Sequence, residues 1–561
     1  MSDYSDRPWL ALYPEGLSAE VPDVPFTTVA DFAVDAMKRW ADLPAFENMG
    51  TTLSFAEVDR LSAQFAVYLR EVAGLREGER VVLVMPNVLQ FPIALFGAIR
   101  AGLIPVNANP LYTDVELRGV FMEATPAAVV VLENFTHVVG RAMPGTSVRV
   151  VIETQVGDLL ALPKRAAVEL ALRLGKKIPA HTVDSPVPFR QALRMGAGGQ
   201  VPRVSAGRDD VALLQFTGGT SGVPKAVMLT HGNLLANQAQ LSTPGSIPLN
   251  HGEEVVLTAL PLYHIFCFTV NCLALFGMGA LNVLVTNPRD IRALVRTIAR
   301  SRPSVMMLVS TLASALLDND RFRSLSFDAL KVSIAGGMSV RDVVASRWLE
   351  VTGRQLLEGY GLTEASPVVA LNPLWGQGRT GTIGLPLQST EVRIVDAHDG
   401  APVPLGQPGE LSIRGPQVMK GYWNTPEETA QVLSSDGWLL TGDIATMDEQ
   451  GFLRIVDRKK DLIVVGGFNV YPNEVEAVIA SHPLVGDVGV IGVPDEYSGE
   501  AVRAYVVRRD PSLTEDELTQ WCRKRLTGYK RPRRFIFVSE LPKSAVGKVL
   551  RRQLREHAPV D

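Results

Sequence analysis

Thr217-Gly-Gly-Thr-Ser-Gly-Val-Pro-Lys225 is the stretch on which the reading of this chain turns. The apolar run Val211–Phe216 leads into it and Ala226–Thr230 leads out, and both read as strands. Glycines let successive backbone N–H groups turn toward one point, and hydroxyls and an ammonium add further donors. Thr217, Gly218, Gly219, Thr220, Ser221, Gly222 and Lys225 are therefore candidates for gripping a polyphosphate. The Walker loop is excluded, because it needs Lys followed at once by Ser or Thr and then a helix. Here Ala226 and Val227 follow Lys225. Taken alone, a Gly-rich loop is more often a plain hairpin turn, so its companions along the chain decide.

Upstream, helical spacing marks Val29–Trp40 and Phe55–Val72. Arg80–Met85 reads as a strand, Leu89–Arg100 as a helix, and Leu103–Val106, Val129–Leu132 and Val148–Ile152 as further strands. Downstream, Asn233 reads as the cap of a helix over Leu234–Leu241. Val255–Leu260 reads as a strand ending at Pro261-Leu-Tyr-His-Ile-Phe266, Val305–Val309 as another, and Lys331–Ala335 as one ending at Gly336-Gly337. Gln355–Glu358 precedes Gly359-Tyr-Gly-Leu-Thr-Glu364. This alternation predicts a layered α/β body with parallel strands, and ligands gather where such strands end.

From about Thr390 the texture changes to short strands (Glu391–Val395, Gly409–Arg414, Gly437–Leu440, Phe452–Ile455), a small β-rich lobe. Asp457-Arg-Lys-Lys-Asp461 reads as a charged break. Asn473 with Glu476, and Thr514 with Glu517, read as helix starts in a compact α+β segment beyond it. The expected division is residues 1–456, a linker at 457–462, and 463–561.

The chain has 561 residues and a formal charge of −4, too near neutral for a nucleic-acid binder. Its three cysteines, Cys267, Cys272 and Cys522, form no CxxC pair, which argues against a zinc site or disulfide framework and suits a reducing compartment. The acidic start lacks a signal-peptide core, so a cytoplasmic location is expected. Ile265–Thr286 is long enough to span a bilayer, but two Asn and two Gly interrupt it. It reads instead as a buried helix, Ile265–Phe276, and a strand, Ala280–Val285. Leu159–Ile178 carries five basic residues beside an apolar set, a pattern of ordinary surface helices and also of helices that lie on anionic membranes. Between Trp521 and Arg555 there are twelve Lys or Arg and one acid, a solvated face, a contact with the phosphates of a nucleotide-like substrate, or a contact with a membrane surface.

With these residues assembled, the chain resembles the acyl-adenylate-forming enzymes: acyl-CoA synthetases, luciferases and peptide-synthetase adenylation domains. The likeness covers essentially the whole chain. Its motifs come in the family's order: Thr217–Lys225, Leu262-Tyr-His-Ile265, Tyr360-Gly-Leu-Thr-Glu364, Thr441-Gly-Asp443, Asp457-Arg-Lys-Lys460, Gly466-Gly-Phe-Asn469 and Pro542-Lys-Ser-Ala-Val-Gly-Lys548. The run Asp436–Lys460 is similar to the signature of bacterial long-chain fatty acyl-CoA synthetases, with Leu440 and Ala445 where His and Gly are usual, and Phe216 where Tyr is usual.

The resemblance implies a large N-terminal layered α/β domain with its β-rich lobe, and a mobile α+β C-terminal domain. It implies that a fatty acid, ATP and coenzyme A (CoA) become acyl-CoA, AMP and pyrophosphate through acyl-AMP, with Mg2+ as cofactor. By the same likeness Lys548 serves adenylation, Glu364 and Thr217 face the metal, and His264 positions the carboxylate. Gly336, Gly337, Tyr360, Gly361, Thr363, Asp443 and Arg458 would surround the nucleotide. Lys460 would be the hinge, and Gly466, Gly467 and Phe468 would face CoA. A medium-chain or aryl acid is the alternative substrate, and a catalytically silent acyl or nucleotide sensor the alternative of another class. Peripheral contact with the inner face of the cytoplasmic membrane, and a homodimer, remain open.

Overall fold

The computed structural model describes residues 4–217, 225–243, 245, 247–375, 378–397, 399–495, 497–543 and 549–556. Gly218, Gly219, Thr220, Ser221, Gly222 and Lys548 lie outside the described residues.

Two large sheets form the body. In one, Arg80–Val84, Ile104–Ala108, Ala128–Leu132, Val150–Thr154 and Val211–Thr217 run parallel. The strand Lys225–Thr230 then turns back antiparallel on Val211–Thr217, with Thr217 opposite Lys225. In the other, Leu281–Leu284, Val255–Thr258, Val305–Leu308, Val332–Ala335 and Leu356–Gly361 lie side by side and parallel. These strands are near-continuous apolar runs because both faces are covered. The helix Gln90–Arg100 is buried along its whole length, and its Arg100 guanidinium is neutralised by Asp59 at 2.7 Å.

A four-stranded antiparallel sheet, Glu391–Val395, Gly409–Arg414, Leu439–Met447 and Leu453–Arg458, shares the main core through Ile394, Leu411 and Leu453. Beyond Lys460 the chain has its own core, with Ile463, Val475, Val490, Val506 and Leu518 inside. That core lies between the sheet containing Val485–Asp495 and Gly499–Arg508 and the helices Pro472–Ala480 and Glu515–Arg523.

Several expectations need correction. The helix expected from Leu234 begins at His231 and is capped by Thr230, while Asn233 supplies the returning arm of the capping box. A short polar residue at N3 reads like a cap when the true cap three positions earlier sits at a strand end. Thr514 and Glu517 do form a capping box. Asn473 and Glu476 do not: the helix Pro472–Ala480 starts after Tyr471, and both side chains instead hold Arg551. The charged break Asp457–Asp461 is buried at both ends: Asp457 lies in a strand and is fully buried, Asp461 is buried as well, and Lys459 and Lys460 between them are exposed. The expected buried helix over Ile265–Phe276 is present, but it changes from α-helix at Ile265–Cys267 to π-helix over Phe268–Leu275. Among the described residues no helix is long and apolar enough to cross a membrane.

Candidate active site

Three parallel strands of the larger sheet carry or lead into candidate site residues. Val255–Thr258 leads to His264, Val332–Ala335 to Gly336 and Gly337, and Leu356–Gly361 carries Tyr360 and leads to Thr363 and Glu364. Tyr360 and Gly361 thus belong to the strand itself rather than to a loop after it. Gly361 has to be glycine, since a Cβ there would sit 2.2 Å from the Pro367 carbonyl oxygen. Gly337 adopts φ +79°, and a Cβ on Gly336 would press on the Phe266 ring at 3.2 Å. The His264–Phe266 loop and the Gly336 turn are therefore neighbours.

The lobe sheet delivers two more groups. Thr441-Gly-Asp443 forms a bulge, since Glu410 pairs with Ile444 but Ser412 with Leu440, and Gly442 supplies φ +72°. A bulge re-aims its side chains. Asp443 is turned so that the Tyr360 hydroxyl donates to Oδ2 at 2.6 Å and Arg458 Nε meets Oδ1 at 3.1 Å. Asp443 and Arg458 are directly opposed across their strands. Burial, and then the Asp443 charge, push the Tyr360 phenol well above its usual range.

The hairpin Val211–Thr217/Lys225–Thr230 joins through a strand that the sequence reading missed. Gly421–Tyr422 pairs with Lys225–Thr230, placing Tyr422 opposite Val227. The Tyr422 hydroxyl donates to Glu364 Oε1 at 2.9 Å, and Lys225 Nζ lies 5.1 Å from the centre of the Tyr422 ring. Lys225 also meets Glu428 at 3.0 Å. Tyr422 stands in none of the quoted motifs. Its only sequence signal is an aromatic pair, Tyr422-Trp423, behind a glycine, which by itself says nothing about a partner. Glu364 is pushed above the usual carboxylate range by desolvation. Its own backbone N–H, the Tyr422 hydroxyl and Arg458 pull the other way.

Thr217, Lys225, Tyr422, Glu364, Tyr360, Asp443 and Arg458 are thus brought together from three sheets by strand pairing and side-chain contacts. His264 keeps part of its surface exposed, yet protein crowds it closely and the lost hydration lowers its pKa. Its Nδ1 accepts the Phe266 N–H at 3.4 Å. Gly466 and Gly467 stand apart, at φ +58° and +84° in the turn between Ile463–Val465 and Phe468–Val470. Phe468 is 60% exposed and stacks on Tyr529 at 4.9 Å. Lys460 lies in a short 3-10 turn, Lys459–Asp461.

The description "AMP-binding enzyme" matches residues 33–423, and "AMP-binding enzyme C-terminal domain" matches residues 474–548. The chain belongs to the AMP-binding enzymes. Among curated members of this family it is 48% identical over 551 residues to the long-chain-fatty-acid–CoA ligase of Escherichia coli O6:H1 (strain CFT073), covering 98% of both chains. The counterpart of Haemophilus influenzae (strain Rd) is 44% identical, again over 98% of both. Among solved AMP-binding enzymes, the ATP-bound RpMatB-BxBclM chimera B3 superposes with a TM-score of 0.81 at 28% identity, covering 94% of this chain and 98% of that one.

An AMP-binding enzyme that uses a divalent cation needs hard oxygen donors for it. No group of three or more His, Cys, Asp or Glu that could cage a metal occurs among the described residues. Glu364 and the Thr217 hydroxyl suit Mg2+, which takes one or two protein oxygens together with substrate phosphates.

Proposed function

We propose that this protein is a long-chain fatty-acid–CoA ligase that works through acyl-AMP. The observation that carries the reading is the meeting of the phosphate-loop hairpin, Glu364 and the Tyr360–Asp443–Arg458 group at the ends of parallel strands. Curated relatives of that name at 48% identity support the choice of acid and thiol.

In the first half-reaction the carboxylate oxygen attacks the α-phosphorus of ATP and pyrophosphate leaves. Two anions must approach, so catalysis is chiefly charge neutralisation and positioning. Backbone N–H groups of 217–222 and Lys225 hold the β- and γ-phosphates. Asp443 accepts from the ribose hydroxyls, with Tyr360 fixing its orientation and stacking on the base, and Arg458 contacts ribose or phosphate. Gly336 and Gly337 let the adenine approach the backbone, and Gly361 and Thr363 complete the wall. His264, neutral at physiological pH because its pKa is lowered, positions the fatty carboxylate without repelling a cation beside it. Glu364 and Thr217 would hold Mg2+, which screens the phosphate charge when bound. Lys548 reaches the carboxylate and α-phosphate on a flexible stem. In the second half-reaction the CoA sulfur attacks the acyl carbonyl and AMP leaves. The region 463–561 turns about Lys460, within the linker 457–462, so that Gly466, Gly467 and Phe468 line the thiol's approach to the 1–456 region.

The test is AMP release from ATP, Mg2+ and CoA across acids from medium-chain to long-chain and aryl. A long-chain optimum is expected, and an aryl optimum would overturn the substrate assignment. Lys548→Ala should cut pyrophosphate release by about 100-fold or more, as loss of a transition-state charge contact does, while supplied acyl-AMP is still converted.

A reversible membrane contact is also part of the reading. The helix Leu162–Leu174 has no buried residue and exposes Leu162 and Leu174 at 80% and 76%. Beside it a cavity of about 410 Å³ is lined by Arg60, Arg190 and Arg194, by the acids Glu57 and Asp158, and by leucines. Failure to co-sediment with anionic vesicles at low salt would remove this part.

A further inference from the structure

The domain rotation just proposed meets an obstacle in this structure. Asp457 belongs to the strand Leu453–Arg458, paired with Ile444 of the lobe sheet, and is fully buried. Facing it is Arg551, the first residue of the helix Arg551–Glu556, with 9% of its side chain exposed. The guanidinium reaches Asp457 Oδ1 at 3.3 Å, Asp461 Oδ2 at 3.2 Å and Glu476 Oε1 at 2.9 Å. It also donates to Asn473 Oδ1 at 2.5 Å. Asn473 in turn gives its backbone N–H to Asp457 Oδ2 at 2.7 Å and its side-chain amide to the Val456 carbonyl at 3.2 Å.

These contacts divide at Lys460. Asp461, Asn473, Glu476 and Arg551 all follow it, and Glu476 is fastened to the C-terminal sheet by the Val490 N–H at 2.8 Å. They would rotate together. Asp457 and Val456 precede Lys460 and stay with the lobe. Rotation therefore leaves the Arg551–Asp461–Glu476 set intact and breaks three contacts: Arg551 to Asp457, and Asn473 to Asp457 and to Val456. Asp457 then keeps only the Arg458 N–H at 2.8 Å, and a buried carboxylate that loses most of its donors resists the change until water or a new partner replaces them. The arrangement so held leaves the Gly466-Gly467 turn open, since a Cβ on either residue would meet nothing within 4 Å.

We propose that Asp457 is a detent for the domain rotation: gripped by Arg551 and Asn473, it holds the C-terminal region in its arrangement before the thiol step and sets the balance between the two half-reactions. Asp457, Asn473 and Arg551 act as positioning residues, remote from the reacting atoms.

The inference rests on the two-step reading, and the experiment separates the two. Adenylation is followed by pyrophosphate release from ATP and fatty acid, and thiolation by CoA consumption from supplied acyl-AMP. Asp457→Asn should lower the ratio of adenylation to thiolation roughly three- to tenfold, the scale of one net hydrogen bond, since the amide keeps the shape and loses the charge. Asp461→Asn, on the Arg551 side of the hinge, should leave the ratio within about twofold while losing comparable charge. Should Asp457→Asn not fold, Asn473→Ala carries the same expectation. An unmoved ratio in these variants, or equal shifts for Asp457 and Asp461, overturns the detent alone. A parent protein that makes no acyl-AMP overturns the enzymatic reading and the detent with it.

Discussion

Glu364 and Glu476 show how burial and one hydroxyl or guanidinium set what a carboxylate does. Desolvation raises the Glu364 pKa, and the Tyr422 hydroxyl counters it by bonding to the ionised form. Tyr422→Phe should therefore raise that pKa further, and the acid limb of the pH–activity profile should move to higher pH. A roughly five- to tenfold loss near neutrality is expected from one such bond, measured by AMP release. Glu476 is raised to about 7 by desolvation, although Arg551 opposes it, because one guanidinium is shared with Asp457 and Asp461. The folded protein thus binds a proton at Glu476 more tightly than the unfolded chain does. Stability from this group is present at low pH and is lost as pH rises from the ordinary Glu range through 7. All bonds to Glu476 use Oε1, so Glu476→Gln keeps them and removes the titration. The thermal midpoint of the variant should fall less between pH 5 and pH 8 than the parent's, a difference of about 1–3 kcal/mol by scanning fluorimetry.

Elements differ in how openly the chain announces them. The hairpin Val211–Thr217/Lys225–Thr230 is readable because two apolar runs flank a glycine-rich turn and nothing distant is needed to interpret them. The parallel strands are readable for the same reason, their burial on both faces leaving unbroken apolar runs. The bulge at Thr441–Asp443 was legible as a motif but not as a shape, since a register shift depends on the partner strand Gly409–Arg414. Asn473 and Glu476 have capping-box spacing, and only the helix Arg551–Glu556 packed nearby gives them another use. Glycines divide in the same way. Gly361→Ala forces a methyl against the Pro367 carbonyl and should cost about 1–3 kcal/mol in chemical denaturation. Gly467→Ala meets no atom within 4 Å and carries only its left-handed φ, so about 1–2 kcal/mol is expected.

At the scale of the whole molecule, two bodies with separate cores meet at a short charged segment that is itself half buried. Lys460 sits where the chain leaves one body for the other, and its pKa is lowered by desolvation and by Arg458 nearby. Lys460→Pro freezes φ at the hinge and should spare acyl-AMP formation while slowing thioester formation on the order of tenfold or more. Equal loss in both half-reactions would refute the hinge. The detent at Asp457 predicts the complementary imbalance, so the two variants together test whether rotation couples the steps.

The motif residues Thr217–Lys225, Tyr360–Glu364, Asp443 and Arg458, the α/β alternation and the AMP-binding character were all determined by the chain's own order. Each depends on local chemistry: glycine turns, apolar period, and hydroxyls and charges at short spacing. Tertiary structure alone decided that Tyr422 supports Glu364, that Tyr360 and Arg458 share Asp443, and that Asp457 is buried beneath Arg551. Those are contacts between residues far apart in the chain, and no local pattern carries the identity of a partner that only packing brings near.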